Sequence, residues 1–382
     1  MNKQYTLKNQ TSKCLEFCVL VLVFSFSLNG QTVRSNENVI EVDWDVCTFY
    51  PARESVLISR ARSSFVKNQM DNNVDPCSTF IVNYTGFTPQ AEAAFQFAVD
   101  IWSNLLESSV PIRVDATFGP LPENVLGGAG PNGFIALSTD GGATSSFYAR
   151  PLAEALLGEE TEDDGDSPSI DLSATFTSEP DIFYFNTDLN TPADKIDFVT
   201  VVLHELGHGL GILGFGRVND RDFAGLPQIP TQGEINRSGL PSAWDRFIEN
   251  GVATSLLDFD DPSADLLIEL TSNNLFSNGP IATAQNQGIK PKMYAPSPFQ
   301  SGSSYSHWDD NTYPPGSPNS LMTPRVSRGE ANHDPGVVTL GFMEDMGWTL
   351  CQGSLSVENF DIKSVSISPN PFKSEITIEL SN

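Results

Sequence analysis

The chain has 382 residues, a formal net charge of −27 at pH 7 and a sequence pI near 4.3. Binding to the phosphates of a nucleic acid requires basic patches, so this charge argues against a nucleic-acid partner. The length suits one sizeable domain with appendages. Beyond the N-terminal region no segment approaches about 20 uninterrupted apolar residues, which argues against stable membrane insertion.

The first 30 residues have the pattern of a secretory signal peptide. Lys3, Lys8 and Lys13 precede an apolar run at residues 17–28, and this run is short for a membrane span. We therefore expect residues 1–30 to be removed and the mature protein to be secreted or extracellular, either free or attached to the cell surface. Residues 31–77 show no sustained hydrophobic period and are predicted to form a weakly structured leader or pro-segment.

Three cysteines, Cys47, Cys77 and Cys351, lie outside the predicted signal peptide. They allow at most one intramolecular disulfide among them, and the sequence leaves the pairing open. A pair that includes Cys351 would tie the end of the core to its beginning. The alternative is a free thiolate, such as that of Cys77, that caps a metal ion.

The ordered core is predicted to begin near residue 78. Residues 79–84 are rich in β-formers, and Thr88 and Pro89 offer an N-cap and a first-turn proline to a helix with one apolar stripe. Residues 111–118, 134–137, 170–176 and 181–185 have the alternation or composition of strands. The glycine- and proline-rich residues 127–133 are predicted to be a loop.

Residues 159–166 form an acidic run. Carboxylate oxygens suit calcium, so calcium is a candidate second cofactor. The run lacks a recognisable calcium-loop spacing, however, and a solvated loop is the alternative.

Residues 198–211 combine an apolar run with two histidines and a glutamate. If the run is helical, His204 and His208 lie on one face, where two neutral imidazoles can bind one metal ion. Glu205 is adjacent and can accept a proton from a metal-bound water, as in the H-E-x-x-H pattern. The helix is predicted to start after Thr191, with Pro192 in its first turn.

Glycines 207, 209 and 211 lower the intrinsic stability of this helix, so we expect another group to approach it closely. Gly211 is expected to end the helix in a left-handed conformation.

Residues 214–300 are predicted to form a loop-dominated lobe beside a cleft, with a short helix at 242–247. Residues 335–346 are predicted to be a last helix, and a β-rich appendage is expected after residue 353.

A catalytic zinc site takes three protein ligands and leaves one position open, so a third ligand is needed. Gly214 excludes a compact site in which the third histidine follows the first by ten residues. His307 and His333 are the remaining histidines. Glu330 and Glu344 are the candidates if the third ligand is a carboxylate.

Three short motifs resemble the leishmanolysin group of metzincin zinc metalloproteases. They are HELGHGLG at residues 204–211, Ser306-His307-Trp308 and Ser320-Leu321-Met322. The resemblance implies that His204, His208 and His307 bind Zn²⁺ and that Glu205 is the general base. It also implies that Met322 lies in a turn beneath the metal, with a simple core position as the alternative. Thr323-Pro324 follows in place of the tyrosine that stabilises the oxyanion in some metzincins.

The resemblance implies an α+β, zincin/metzincin-like catalytic domain over residues 78–353. Its upper lobe would contain a twisted mixed sheet and two main helices, and its lower lobe would be loop-rich with a C-terminal helix. Residues 354–382 resemble the beginning of a type IX secretion C-terminal sorting domain, which is expected to be incomplete.

The sequence therefore predicts a secreted, monomeric, zinc-dependent endopeptidase that acts on protein or peptide substrates. One alternative is a catalytically inactive adhesin or binding module on the same fold. The other is a gluzincin-type peptidase with a glutamate as third ligand.

Overall fold

A computed structural model of the chain describes residues 39–40, 47–63, 66–67, 75–138, 145–161, 169–221 and 228–351, and two further strands at 364–368 and 377–381. For the residues before 55 and after 351 this description covers the backbone alone. The predicted signal peptide and residues 162–166 of the acidic run lie outside it.

Helices and strands both contribute to the fold, so the predicted α+β class is confirmed. The helices among the described residues are α1 (Pro89–Ser103), α2 (Arg150–Leu157), α3 (Phe198–Gly209), α4 (Ala264–Leu270), α5 (Pro280–Gln285) and α6 (Val337–Met346). The strands are β1 (Val39–Ile40), β2 (Cys47–Arg60), β3 (Phe80–Thr85), β4 (Ile112–Gly119), β5 (Gly127–Pro131), β6 (Phe134–Ser138), β7 (Ser145–Ala149), β8 (Leu172–Thr177), β9 (Phe183–Tyr184), β10 (Ile196–Asp197), β11 (Arg217–Val218), β12 (Gly233–Glu234), β13 (Ile248–Asn250), β14 (Leu275–Ser277), β15 (Arg325–Asn332), β16 (Ser364–Ser368) and β17 (Thr377–Ser381).

A six-stranded mixed sheet in the order β15-β2-β5-β8-β4-β3 forms the centre of the fold. Strands β3, β4 and β8 are parallel, β5 runs antiparallel between β8 and β2, and β2 is parallel to β15. Alternate residues of β4 are buried, as its apolar alternation predicts. Helix α3 packs against α1, β5 and β8, which places the middle of this helix next to the sheet.

Helix α1 confirms the predicted cap and apolar stripe. Thr88 is its N-cap and accepts a hydrogen bond from the Ala91 amide, and Pro89 occupies the first turn. The stripe that includes Phe95 and Trp102 is fully buried, and burial of each such side chain stabilises the fold by roughly 1.5–3 kcal/mol. The Trp102 indole also donates to the Leu203 carbonyl oxygen at 3.0 Å, which fixes α1 against α3.

The prediction of a loop at residues 127–133 is wrong, because Gly127–Pro131 is strand β5. Local composition favours a turn there, but pairing with β2 and β8 on both sides keeps the backbone extended. The small residues have a packing role: a Cβ on Gly127 would lie 2.6 Å from the Phe176 ring. Tertiary packing therefore overrides the local turn preference.

The prediction of weak structure for residues 31–77 is also wrong, since Cys47–Arg60 forms the long strand β2. This strand pairs with β15, a segment more than 250 residues away along the chain, in addition to β5. Such distant pairing produces no local period in the sequence. Removal of this segment during maturation remains a prediction.

Helix α3 starts at Phe198, later than the predicted start after Thr191. Residues Ile196–Asp197 pair with β9 and hold the backbone extended until Asp197. Asp197 is the N-cap and accepts from the Thr200 amide at 2.8 Å. The Thr191 hydroxyl donates to the other Asp197 carboxylate oxygen at 3.1 Å, so Thr191 supports the cap instead of forming it.

Residues 212–351 form the loop-rich part of the fold, with more regular structure than predicted. Helices α4 and α5 and strands β11–β14 interrupt the loops, and the helix predicted at 242–247 is a 3-10 turn at Asp245–Phe247. The last helix, α6, confirms its prediction and ends at Gly347, whose φ is 120°. Strands β16 and β17 pair antiparallel, in agreement with the predicted β-rich appendage.

A disulfide joins Cys77 to Cys351, with Cα atoms 5.8 Å apart. It joins the segment just before β3 to the segment that follows α6. A free Cys77 thiolate is therefore excluded as a metal cap. In the part of the chain described, no helix has the length and apolar character needed to cross a bilayer.

We expect a Cys77→Ser/Cys351→Ser variant to have a free energy of unfolding lower by about 2–5 kcal/mol, because the unfolded chain is no longer constrained. Denaturant unfolding under non-reducing conditions measures this change. Reducing agent should destabilise the wild type and leave the variant unchanged. Equal stability of the two proteins without reductant would contradict the prediction.

Candidate metal centre

Two of the three predicted histidine ligands, His204 and His208, lie on successive turns of α3 and are fully buried. After this helix, Gly211 adopts a φ of 110°, as predicted, and the chain reverses direction. His307 comes from a distant segment that backbone hydrogen bonds hold in place. Its carbonyl accepts from the Tyr294 amide, and the next residue, Trp308, donates to the Met322 carbonyl, both at 2.9 Å.

The Nε2 atoms of the three histidines converge to a small triangle. The separations are 3.0 Å between His204 and His208, 3.2 Å between His208 and His307, and 3.2 Å between His307 and His204. In each ring the opposite nitrogen, Nδ1, contacts a backbone carbonyl. The acceptors are Leu321 O for His204, Ile212 O for His208 and Ser303 O for His307, at 2.7, 2.7 and 2.6 Å.

These contacts determine which nitrogen carries the proton. A carbonyl oxygen only accepts, so Nδ1 must donate in all three rings, and the Nε2 atoms of neutral imidazoles then present lone pairs to one another. Such an arrangement is repulsive without a cation at its centre. Tetrahedral coordination at Zn–N distances of about 2.0–2.1 Å places ligand nitrogens about 3.3 Å apart, and the triangle observed here fits that spacing.

Burial keeps the three imidazoles neutral. It lowers the pKa of His208 to about 4. Burial, followed by the proximity of the other two rings, lowers the pKa of His204 well below its usual range. Burial and the neighbouring His208 also lower the pKa of His307 well below its usual range. The three Nε2 atoms are thus available as metal ligands at neutral pH, and the group His204, His208 and His307 could hold a metal ion.

Glu205 lies beside the triangle in sequence and is fully buried, but it does not belong to the converging ligand group. Its Oε2 accepts from the Ala129 amide on β5 at 2.9 Å, and no donor among the described residues contacts Oε1. Burial raises the pKa of this carboxyl well above its usual value, although the Ala129 bond opposes the shift. This environment gives Glu205 an oxygen that can accept a proton.

Met322 packs directly against helix α3. A Cβ on Gly207, between the two helical histidines, would lie 3.0 Å from the Met322 sulfur, so a larger residue there would require the Met322 side chain to shift. Gly209 is similarly close to Leu172. The expected close approach at these glycines is therefore confirmed, and Met322 supports the helix that carries His204 and His208.

His333 is not part of the triangle. Its Nε2 contacts Asp197 Oδ1 at 2.8 Å, and both residues are buried. Because Asp197 caps α3, His333 stabilises the start of this helix. Glu330 accepts from the Ser327 amide, and neither it nor Glu344 joins the ligand group found among the described residues. His333, Glu330 and Glu344 are thus not supported as the third metal ligand.

The Ala129 amide is the site group that sequence reasoning missed. It belongs to the backbone of a segment predicted to be a loop, and a backbone donor has no side-chain signature. Only the pairing of β5 with β8 reveals its position beside Glu205.

Comparison with known proteins identifies no relative, since no family model and no curated protein matches this chain.

We expect His307→Ala to lose its bound metal and His333→Ala to keep it. The first change removes one corner of the triangle, whereas the second removes a buried hydrogen bond to Asp197 and lowers the free energy of unfolding by about 1–3 kcal/mol. Metal analysis of the purified variants, with circular dichroism to confirm folding, measures both effects. The reverse result would reassign the third ligand to His333.

Proposed function

We propose that this protein is a zinc-dependent endopeptidase. The single observation that carries the proposal is the convergence of three buried Nε2 atoms beside a buried glutamate, one oxygen of which has no donor in the described part of the chain. Three imidazole nitrogens in tetrahedral spacing suit zinc, and three protein ligands leave one position for water or substrate. A purely structural zinc site is instead closed by four protein ligands.

When bound, zinc would polarise the substrate carbonyl and lower the pKa of water at the site. The proton transfers are assigned to Glu205, whose pKa is raised by burial. Its Oε2 stays on the Ala129 amide, so Oε1 accepts the proton of the attacking water. The same carboxyl then donates that proton to the leaving amine as the peptide bond breaks.

The metzincin class is part of the proposal. It is supported by the combination of a mixed sheet, an H-E-x-x-H helix, a third histidine from a later segment and a methionine packed under that helix. Each feature alone is common, but the metzincin resemblance predicts all four together. A gluzincin-type site finds no support, because Glu330 and Glu344 lie outside the ligand group.

The alternative from another class is an inactive adhesin or binding module. Glu205 argues against it, because burying a carboxylate whose Oε1 has no donor among the described residues costs stability, and a binding module has no use for a proton acceptor there. Secretion is likewise proposed. The Cys77–Cys351 disulfide supports it, since such bonds persist mainly in oxidising, extracytoplasmic compartments.

We expect Glu205→Gln to retain about one zinc per chain while kcat/KM for a peptide substrate falls by about 10²–10⁴-fold, because the proton acceptor is lost. Casein or gelatin cleavage, measured alongside metal analysis, tests this. Glu92→Gln is the matched control, since Glu92 is an exposed residue of α1, and it should cleave like the wild type.

Chelation of the metal should also abolish cleavage by the wild type. Activity that survives both chelation and Glu205→Gln would exclude a zinc endopeptidase.

The leader is proposed to inhibit the enzyme until it is detached. Extended peptides commonly bind by pairing with the edge of a sheet. Strand β5 contains Ala129, whose amide donates to Glu205 on α3. Residues 127–129 of β5 pair with residues 47–49 of the leader. The leader backbone therefore occupies an edge that an extended substrate would need.

We expect cleavage at a protease site inserted after Asn73, followed by removal of the N-terminal piece, to raise peptidase activity. A rise of about tenfold corresponds to release of about 1.4 kcal/mol of competing strand pairing. The same cleavage in the Glu205→Gln variant should not produce peptidase activity. Unchanged or lower activity of the separated core would instead make β2 a permanent part of the mature sheet.

A further inference from the structure

Three carboxylates meet at a second place in the molecule, near the end of α2 and the start of β8. Glu154 lies on α2, Glu160 follows that helix, and Asp171 immediately precedes β8. One oxygen of each carboxylate lies within 4.8 Å of one oxygen of each of the others. Glu154 and Asp171 are only 1% and 0% exposed. Sequence reasoning considered the acidic run that contains Glu160 but did not single out Glu154 or Asp171.

In each of these carboxylates, one of the two oxygens accepts hydrogen bonds from the protein. The Glu154 Oε1 atom accepts from the amide and hydroxyl of Thr161, at 2.8 and 2.6 Å. The Glu160 Oε1 atom accepts from the Arg113 guanidinium at 3.0 Å. The Asp171 Oδ2 atom accepts from the Arg113 amide at 2.6 Å. The protein thereby fixes the orientation of all three groups.

The remaining oxygens, Glu154 Oε2, Glu160 Oε2 and Asp171 Oδ1, are buried and receive no hydrogen bond from an amide, hydroxyl or guanidinium group of the residues described. A buried carboxylate oxygen without a donor is costly, and two largely buried carboxylates side by side add charge repulsion. The neighbouring Arg150 guanidinium donates to the carbonyls of Asn132 and Thr161. The Arg113 guanidinium is the cation paired with the cluster, and it contacts Glu160 through the other oxygen, Oε1.

Either a proton or a cation can relieve this repulsion. Burial, and then the charge of Glu154, raises the pKa of Asp171 to about 8, and burial also raises the pKa of Glu154. A proton shared in a hydrogen bond between the Glu154 and Asp171 side chains would neutralise that pair, and Arg113 balances the charge of Glu160. A cation would satisfy all three oxygens at once.

We propose that Glu154, Glu160 and Asp171 bind a calcium ion that fastens the end of α2 to the first residues of β4 and β8. The donor set consists of oxygens alone, which suits a hard cation and not zinc. Calcium accepts irregular coordination by six to eight oxygens, with water completing the shell, whereas magnesium requires a near-ideal octahedron. The site is separate from the histidine triangle and does not depend on the proposed peptidase activity.

The test is calorimetric titration of CaCl₂ into the full chain, loaded with zinc and freed of calcium by dialysis, in the Glu205→Gln background to prevent self-cleavage. We expect uptake of about one calcium per chain and a Tm that rises with calcium concentration. Asp171→Asn should weaken calcium binding by about tenfold or more. It should also raise the Tm measured without calcium, because it removes one of the repelling charges.

Glu179→Gln is the matched control, since Glu179 is exposed and follows the opposite end of β8, and it should bind calcium like the parent chain. If Asp171→Asn fails to fold, Glu160→Gln at the more exposed corner serves instead, with the same expectation. No calcium uptake at millimolar concentration, with a Tm that responds to pH alone, would assign the site to a shared proton and overturn the proposal. Magnesium uptake of equal affinity would overturn it as well.

Discussion

The candidate metal centre depends on one repeated interaction, the hydrogen bond from each histidine Nδ1 to a backbone carbonyl. Three such bonds, at 2.6–2.7 Å, fix both the tautomer and the orientation of the rings. The acceptors lie at Leu321, Ile212 and Ser303, in three different loops. The histidine lone pairs can therefore converge only when these loops have folded around α3. Formation of the site thus depends on correct folding of the loop-rich part of the fold.

The surrounding structure can be understood as support for the helix that carries two of these rings. Asp197 and His333 secure its start, Trp102 donates to a carbonyl in its middle, and Met322 packs against Gly207. A second indole, that of Trp348, donates to the Leu210 carbonyl just beyond its end. Apart from the Asp197 cap, each contact joins this helix to a segment far away in sequence, so the two imidazoles are placed by the tertiary fold as much as by helical geometry.

The sequence predicted those features whose signal is local. The four-residue spacing of His204 and His208 is read within one helix, and the cap and apolar stripe of α1 are equally short-range. His307 was found only because its context resembles a known family.

Strands β2 and β5 were not predicted from the sequence. Strand β2 has no regular hydrophobic period, and β5 consists of small residues. Both are extended because they pair with distant strands. The start of α3 was misplaced because β-pairing extends to Asp197. Likewise, the acidic run did not reveal that Glu154 and Asp171 approach Glu160.

The disulfide between Cys77 and Cys351 joins the segment before β3 to the segment after α6, with Cα atoms 5.8 Å apart. The backbone beside it is also paired, since the Cys351 amide donates to the Leu105 carbonyl. The chain therefore leaves α6 close to the point at which it enters β3, while β2, which precedes Cys77, belongs to the central sheet. A polypeptide joined after residue 351 will accordingly emerge beside the link between β2 and β3, so a bulky fusion partner there will crowd that link.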